Sequence, residues 1–302
     1  MFPKNNYFFI FFALLFPACF AQQNSPSITD AIVNTRGIVT QSTLDLLKLT
    51  NVAHDGSLKD IVTQTQASWL RKPGSERWNI ETTSMQNQKA IGDLLFQMNL
   101  IQEVQPKQKN YQHLLILGGL FSSMVYRLEH AITLWKSGIR YKNIVLLGSA
   151  RPLVSTQEEN TQTFLNFSHQ TALQNQLNTE ADALKFAYDY INMPEDMRAL
   201  PVTIIDVPML CKDDGTLRRP TTGDTIEWWL KALPIPGNCL AISNQPFVAY
   251  QHSVLQEFLP ATFPFETVGN IAYKENNIEV LLDTVARILY QKLQILNKSQ
   301  VV

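Results

Sequence analysis

A doubly wound α/β fold, with a mostly parallel sheet of about five strands and helices on both faces, is what this 302-residue sequence predicts. Three observations carry the prediction. Four short apolar runs, His113–Gly119, Asn143–Ser149, Val202–Val207 and Cys239–Asn244, lack polar alternation, which is how strands buried on both faces read. Each run is followed by residues at helical spacing. Each also ends in small or polar residues, as expected where parallel strands turn into helices, and that edge is where open α/β sheets bind ligands.

The elements follow in order. Residues 1–21 read as an export signal: Lys4 supplies the positive start, Tyr7–Phe16 is an apolar core too short to span a bilayer, and Ala21 offers a cleavage site. A lipoprotein using Cys19 is the weaker alternative. Residues 22–110 form a polar leader and a helical N-terminal extension. Two short helices are expected between Ser42 and Leu70, joined by a turn at Asn51–Gly56, and an amphipathic helix over Ser84–Leu100 carries Ile91, Leu94, Leu95 and Met98. Trp69 and Trp78 flank a turn at Lys72–Ser75 and read as packing residues.

Residues 111–302 form the α/β domain. After the first strand, Ser122 or Ser123 is expected to cap a helix running to about Ser137, with Val125, Leu128, Ala131, Ile132 and Trp135 buried and Gly138 as the stop. After the second strand, Ala150–Leu177 is a long polar stretch and a candidate lid. Thr179–Asp182 then opens a helix with acidic residues in its first turn. Lys212–Pro220 reads as a second polar connection, with Arg218 and Arg219 in a solvated turn, and Thr221–Thr225 opens a helix through Trp228, Trp229 and Leu233. Pro246 suits the first turn of the next helix, Phe263–Val268 suits a fifth strand, and Glu275–Leu296 closes the chain as a helix facing inward through Val280, Leu281, Val285, Ile288, Leu289 and Leu293.

The formal charge of −1 gives no electrostatic basis for nucleic-acid binding. Cleavage after Ala21 leaves Cys211 and Cys239, which fall at opposite ends of the sheet and are expected to stay unpaired. No histidine or cysteine spacing suggests a metal site, and neither a Walker loop nor a nucleophile elbow is present.

The candidate site is the set of residues expected along one edge: Gly118, Gly119, Gly148, Ser149, Arg151, Glu180, Thr222, Asp224, Ser243 and Asn244. Glycines there allow close backbone approach to an anion at a helix N-terminus, and they serve equally to make a tight turn. Arg151 suits a phosphate clamp and Arg127 reaches the same edge, with a solvated surface position at least an equal reading for each. Glu180, Asp206 and Asp224 suit ribose hydroxyls, a metal or acid/base work, and helix capping explains Glu180 and Asp224 almost as well. His252, alone on a helix, reads first as a core or surface residue and second as a base.

The order of these pieces, Gly118-Gly119, Gly148-Ser149, Thr179-Glu180-Ala181, Thr221–Thr225 and Ala241–Gln245, resembles the YdcF/SanA/ElyC envelope family over about residues 112–260. The resemblance implies a Rossmann-like domain in an envelope setting, with S-adenosylmethionine among the ligands of members and roles in lipid-carrier processes. It aligns Glu180 with an acidic residue opening the helix after the second strand. It also aligns Thr222 and Asp224 with a Thr-x-Glu-Asn turn, and Ser243 and Asn244 with a Thr-Ser strand end. This chain departs from it where many relatives carry His and Arg, at Phe247 and Tyr250. The expectation is an exported protein binding a small nucleotide-like or phosphorylated envelope metabolite, with hydrolase or transferase chemistry left open and no cofactor or catalytic residue assigned. The alternative is a non-catalytic envelope or secreted interaction protein.

Overall fold

The structure, a computed structural model, describes residues 27–72, 86–153, 177–271 and 277–300. The expected export signal, Trp78 and most of the candidate lid lie outside them. The chain runs through α1 (Gln41–Leu49), α2 (Leu58–Ser68), α3 (Gln88–Gln97), β1 (Asn110–Leu117), α4 (Phe121–Lys136), β2 (Arg140–Ser149), α5 (Glu180–Tyr190), α6 (Glu195–Arg198) and β3 (Val202–Val207). It continues through β4 (Leu210–Cys211), β5 (Leu217–Arg218), α7 (Thr222–Lys231), β6 (Cys239–Asn244), α8 (Val248–Phe258), β7 (Phe265–Asn270) and α9 (Ile278–Gln300).

Five strands form one parallel sheet in the order β3-β2-β1-β6-β7, the Rossmann-like arrangement. The chain lays down β1, β2 and β3 in one direction, then crosses back to place β6 and β7 on the other side of β1. The switch point is therefore the crevice between the carboxyl ends of β1 and β6.

Strand alternation sorts the core onto two faces. Leu114, Ile116, Ile144, Leu146, Leu240, Ile242 and Val268 pack under α4 and α5, whereas Leu115, Leu117, Val145, Leu147, Ile205, Val207, Cys239 and Ala241 pack against α7 and α8. A third cluster joins α1, α2 and α3 to α9, with Ala249 of α8 as its link to the sheet layers. The helices before the first strand thus cover the long C-terminal helix.

Several boundaries differ from expectation for local reasons. The polar connection at Lys212–Pro220 contains the β4–β5 hairpin, turned at Gly215 with φ +79°. The fifth strand begins two residues later than the Phe263 start, because Phe263 tucks against Trp229 as core. Pro246 precedes α8 instead of entering its first turn. Helix α7 ends at Lys231, and Leu233, expected inside it, lies beyond at φ +52° and 87% exposed. Val280 and Leu293 lie at the margin of the α9 face, whose buried residues include Leu281, Val285, Ile288 and Leu289. Cys211 and Cys239 are both free, the first exposed and the second buried. No helix among the described residues is long and apolar enough to cross a membrane.

Candidate functional site

At the switch point β1 ends in Leu117 and turns through Gly118 and Gly119 into α4. The N-cap of α4 is Leu120, whose side chain makes no capping hydrogen bond, because the helix starts at Phe121, ahead of the Ser122 and Ser123 expected to cap it. The N-cap side chain thus leaves this helix start uncapped, and anions are favoured at helix N-termini.

Arg127 folds back from α4 across this crevice. Its Nη1 donates to the carbonyls of Leu117 (2.7 Å) and Gly118 (2.5 Å), while Nε and Nη2 donate to Asn244 Oδ1 at 3.0 and 2.8 Å. One guanidinium thereby ties the end of β1 to the end of β6. Only 3% of Arg127 is exposed. Of its two readings, the one that reaches the sheet edge holds.

A second cluster lies one strand over. Ser149 Oγ donates to Glu180 Oε2 at 2.6 Å, Arg151 Nη2 lies 3.8 Å from Glu180 Oε1, and Arg151 Nη2 donates to the Gly119 carbonyl at 3.2 Å. The position of Glu180 follows from its helix. Thr179 and Asp182 form a reciprocal capping box that fixes the first turn of α5, and Glu180 N donates to the Arg151 carbonyl at 2.9 Å. Ser149, Arg151 and Glu180 are all buried.

The glycines are required by this packing. A Cβ on Gly118 would stand 2.7 Å from the Leu147 carbonyl and 2.8 Å from Glu180 Oε1, and one on Gly148 would stand 2.8 Å from Ala181 Cα. Gly118 makes room for Glu180, and Gly148 for the approach of α5 to the sheet. Gly119 faces the Arg127 guanidinium, with its virtual Cβ 3.2 Å from Nη1.

The structure therefore brings Gly118, Gly119, Gly148, Ser149, Arg151, Glu180 and Asn244 to one edge. Ser243 is adjacent in sequence but fully buried, and alternation puts it on the sheet face opposite Asn244. Thr222 and Asp224 do not join the cluster by any hydrogen bond or ion pair among the described residues. Instead Arg218 grips Asp224 with two hydrogen bonds (2.7 and 2.8 Å), and Thr221 N and Oγ1 donate to the same carboxylate at 2.6 and 2.7 Å. Burial opposes ionisation of Asp224, yet these donors outweigh it and hold the carboxyl down at about 2. The capping reading of Asp224 is thus realised, and Arg218 is its partner, not a solvated turn residue.

Two other titratable groups make no hydrogen bond or ion pair to the cluster among the described residues. Asp206 is exposed at the end of β3, and partial burial with the nearby Asp182 carboxylate raises its carboxyl above the usual range. His252 packs on Phe265 with Nδ1 3.3 Å from Thr267 Oγ1; burial, aided by Lys107, pushes its imidazole down to about 4. It lines a separate cavity beside β7 with Lys107 and Glu266.

Arg127 is the residue on which sequence reasoning stayed undecided. The signal was its spacing: three residues after Met124 and four before Ala131, it falls on the buried stripe of α4. A charge on such a stripe needs a polar destination, and the strand ends supply it. No protein-family model, curated protein or solved structure matches the chain.

Proposed function

We propose that this chain is an exported binding protein of the Rossmann-like class, resembling the YdcF/SanA/ElyC envelope family, whose ligand is a small phosphorylated or nucleotide-like metabolite held at the β1–β6 switch point. The observation that carries the reading is the convergence of two buried guanidinium groups, Arg127 and Arg151, on the Gly118-Gly119 turn beside the side-chain-uncapped N-terminus of α4. Guanidinium groups and helix N-terminal amides are the donors that phosphate geometry favours. Within this reading Glu180 is the group placed to accept a proton in a hydrolase or transferase step, and buried Ser149 orients it. The apolar run Tyr7–Phe16 supports export.

The test is a thermal-shift series on the purified chain with nucleotides, S-adenosylmethionine and sugar phosphates. A ligand at a hundred times its Kd adds about 2.7 kcal/mol to stability, so Tm should rise measurably. Arg151→Met should abolish the rise. If no compound shifts Tm, or the shift persists in Arg151→Met, the reading fails.

One observation favours a second reading, a non-catalytic interaction protein. Arg127 occupies the crevice by bonding both strand ends, and Leu233 and Ile235 stand exposed on the α7–β6 connection. That reading predicts no small-molecule shift at all.

A further inference from the structure

A second cleft, away from the switch point, uses the threonine turn for which the site just described has no role. It has a volume of about 350 Å³ and lies where the N-terminus of α7 meets α8, α9 and α2. Small-molecule sites span about 300–1,000 Å³, so this one suits a small ligand.

Uncharged hydrogen-bonding groups stand among its walls. Thr222 Oγ1, the Tyr290 hydroxyl and the Gln294 amide have no hydrogen-bond partner among the described residues, and Gln66 spends only its Nε2, on the Ala286 carbonyl at 3.0 Å. The Thr222 amide belongs to the first turn of α7, where Thr221 caps only the Asp224 amide. Hydrogen-bonding groups of both senses therefore line one small space.

The charges at the cleft are already matched. Arg287 donates from Nε and Nη2 to Asp283 at 2.8 and 3.1 Å, with Tyr250 beside the same guanidinium, while Glu257 accepts from Lys298 and from Gln291. A phosphate or carboxylate would find no surplus cation here, and an apolar ligand would strand the amides and hydroxyls. Tyr290 adds a flat aromatic surface that is 45% exposed at the rim, able to cover an apolar ring face while its hydroxyl stays wet. A neutral pyranose has both faces of that chemistry: hydroxyls that donate and accept, and a C–H face that packs on an aromatic ring.

We infer that the cleft formed by Thr222, Gln66, Tyr290 and Gln294 is a binding site for a neutral saccharide of one or two rings, distinct from the anion site at the β1–β6 switch point. The experiment is ligand-observed NMR on the purified chain with methyl α-glucoside, N-acetylglucosamine, maltose and glucose 6-phosphate at up to 20 mM.

At least one neutral sugar should show saturation transfer, with its ring protons strongest. Tyr290→Ala and Gln294→Ala should each weaken it tenfold or more while the chain keeps a cooperative melt, since neither side chain makes a hydrogen bond among the described residues. Arg151→Met should leave it intact, which separates this result from failure or success at the switch point. Three outcomes overturn the inference: no neutral sugar binds at 20 mM, binding survives both rim substitutions, or glucose 6-phosphate alone binds and is lost in Arg151→Met.

Discussion

Arg127 shows what a single buried side chain can organise. Its guanidinium satisfies two strand-end carbonyls and Asn244 Oδ1 at once, and it closes the space beside Gly119. Replacing it with Met keeps the stem and removes the donors, leaving buried acceptors unsatisfied at about 1–3 kcal/mol each in the worst case. Arg127→Met should therefore lower stability by about 3 kcal/mol in urea unfolding, with most of the loss recovered in Arg127→Lys only if one contact suffices. The glycines permit a sharper contrast. Gly148→Ala drives a methyl to within 2.8 Å of backbone in α5 and should cost about 1–3 kcal/mol, whereas Gly92→Ala in α3 meets nothing within 4 Å and should stabilise by about 0.5–1 kcal/mol. From sequence, Gly118 and Gly148 carried two readings, ligand approach and tight turn. Neither names the partner, because the atoms that forbid a Cβ there, Leu147 O and Glu180 Oε1 for Gly118 and Ala181 Cα for Gly148, lie in other elements far along the chain.

At the scale of elements, the parts governed by local chemistry were legible and the parts governed by distant partners were not. The capping boxes at Thr179/Asp182 and Thr221/Asp224 stand where Thr and an acid three residues on occur in the sequence. The β4–β5 hairpin carries no apolar alternation, and its function, presenting Arg218 to the first turn of α7, appears only once both are placed. The coupling predicts acid behaviour with a definite sign. Asp224 titrates at about 2 when folded against an ordinary 3.8, so its contribution is complete above pH 4 and is lost as pH falls towards 2. Because Arg218 is 40% exposed, solvent screening limits that contribution to about 1 kcal/mol. His252 acts in an earlier window. Its folded value near 4 lies below the ordinary 6.5, so the unfolded chain binds a proton that the folded chain refuses, and stability falls between pH 6.5 and 4 by up to about 1.4 kcal/mol per pH unit. Urea midpoints measured from pH 7 to 4 should fall in the native chain and flatten by about one proton in His252→Gln. An unchanged slope would place the titrating group elsewhere.

At the scale of the molecule, the question is whether residues before β1 are an accessory or part of the folding unit. Sequence reasoning set a boundary at residue 110 because helical patterning gives way there to strand patterning, and periodicity reports faces without reporting what covers them. The covering partner is α9, 23 residues long at the far end of the chain. Its inner face, Leu281, Leu282, Val285, Ala286, Ile288 and Leu289, shares one cluster with Leu46 and Leu47 of α1, Ile61 and Val62 of α2, and Ile91 and Leu95 of α3. Polar contacts repeat the arrangement: Gln66 Nε2 donates to the Ala286 carbonyl, and Arg71 N donates at 3.2 Å to Asp283, which is wholly buried. Removing residues 27–100 would uncover the part of that stripe that α8 does not cover and leave Arg287 as the cation beside the Asp283 carboxylate. At about 1.5–3 kcal/mol for each large apolar side chain returned to water, the loss exceeds the 5–15 kcal/mol that stabilises a typical domain. The α/β core should consequently not survive as an isolated 101–302 fragment, and the intact chain should melt in one calorimetric transition whose van't Hoff and calorimetric enthalpies agree. A fragment of residues 101–302 that stays monomeric and gives a sharp melt would show that α9 finds other cover, and would return the N-terminal helices to the status of an extension.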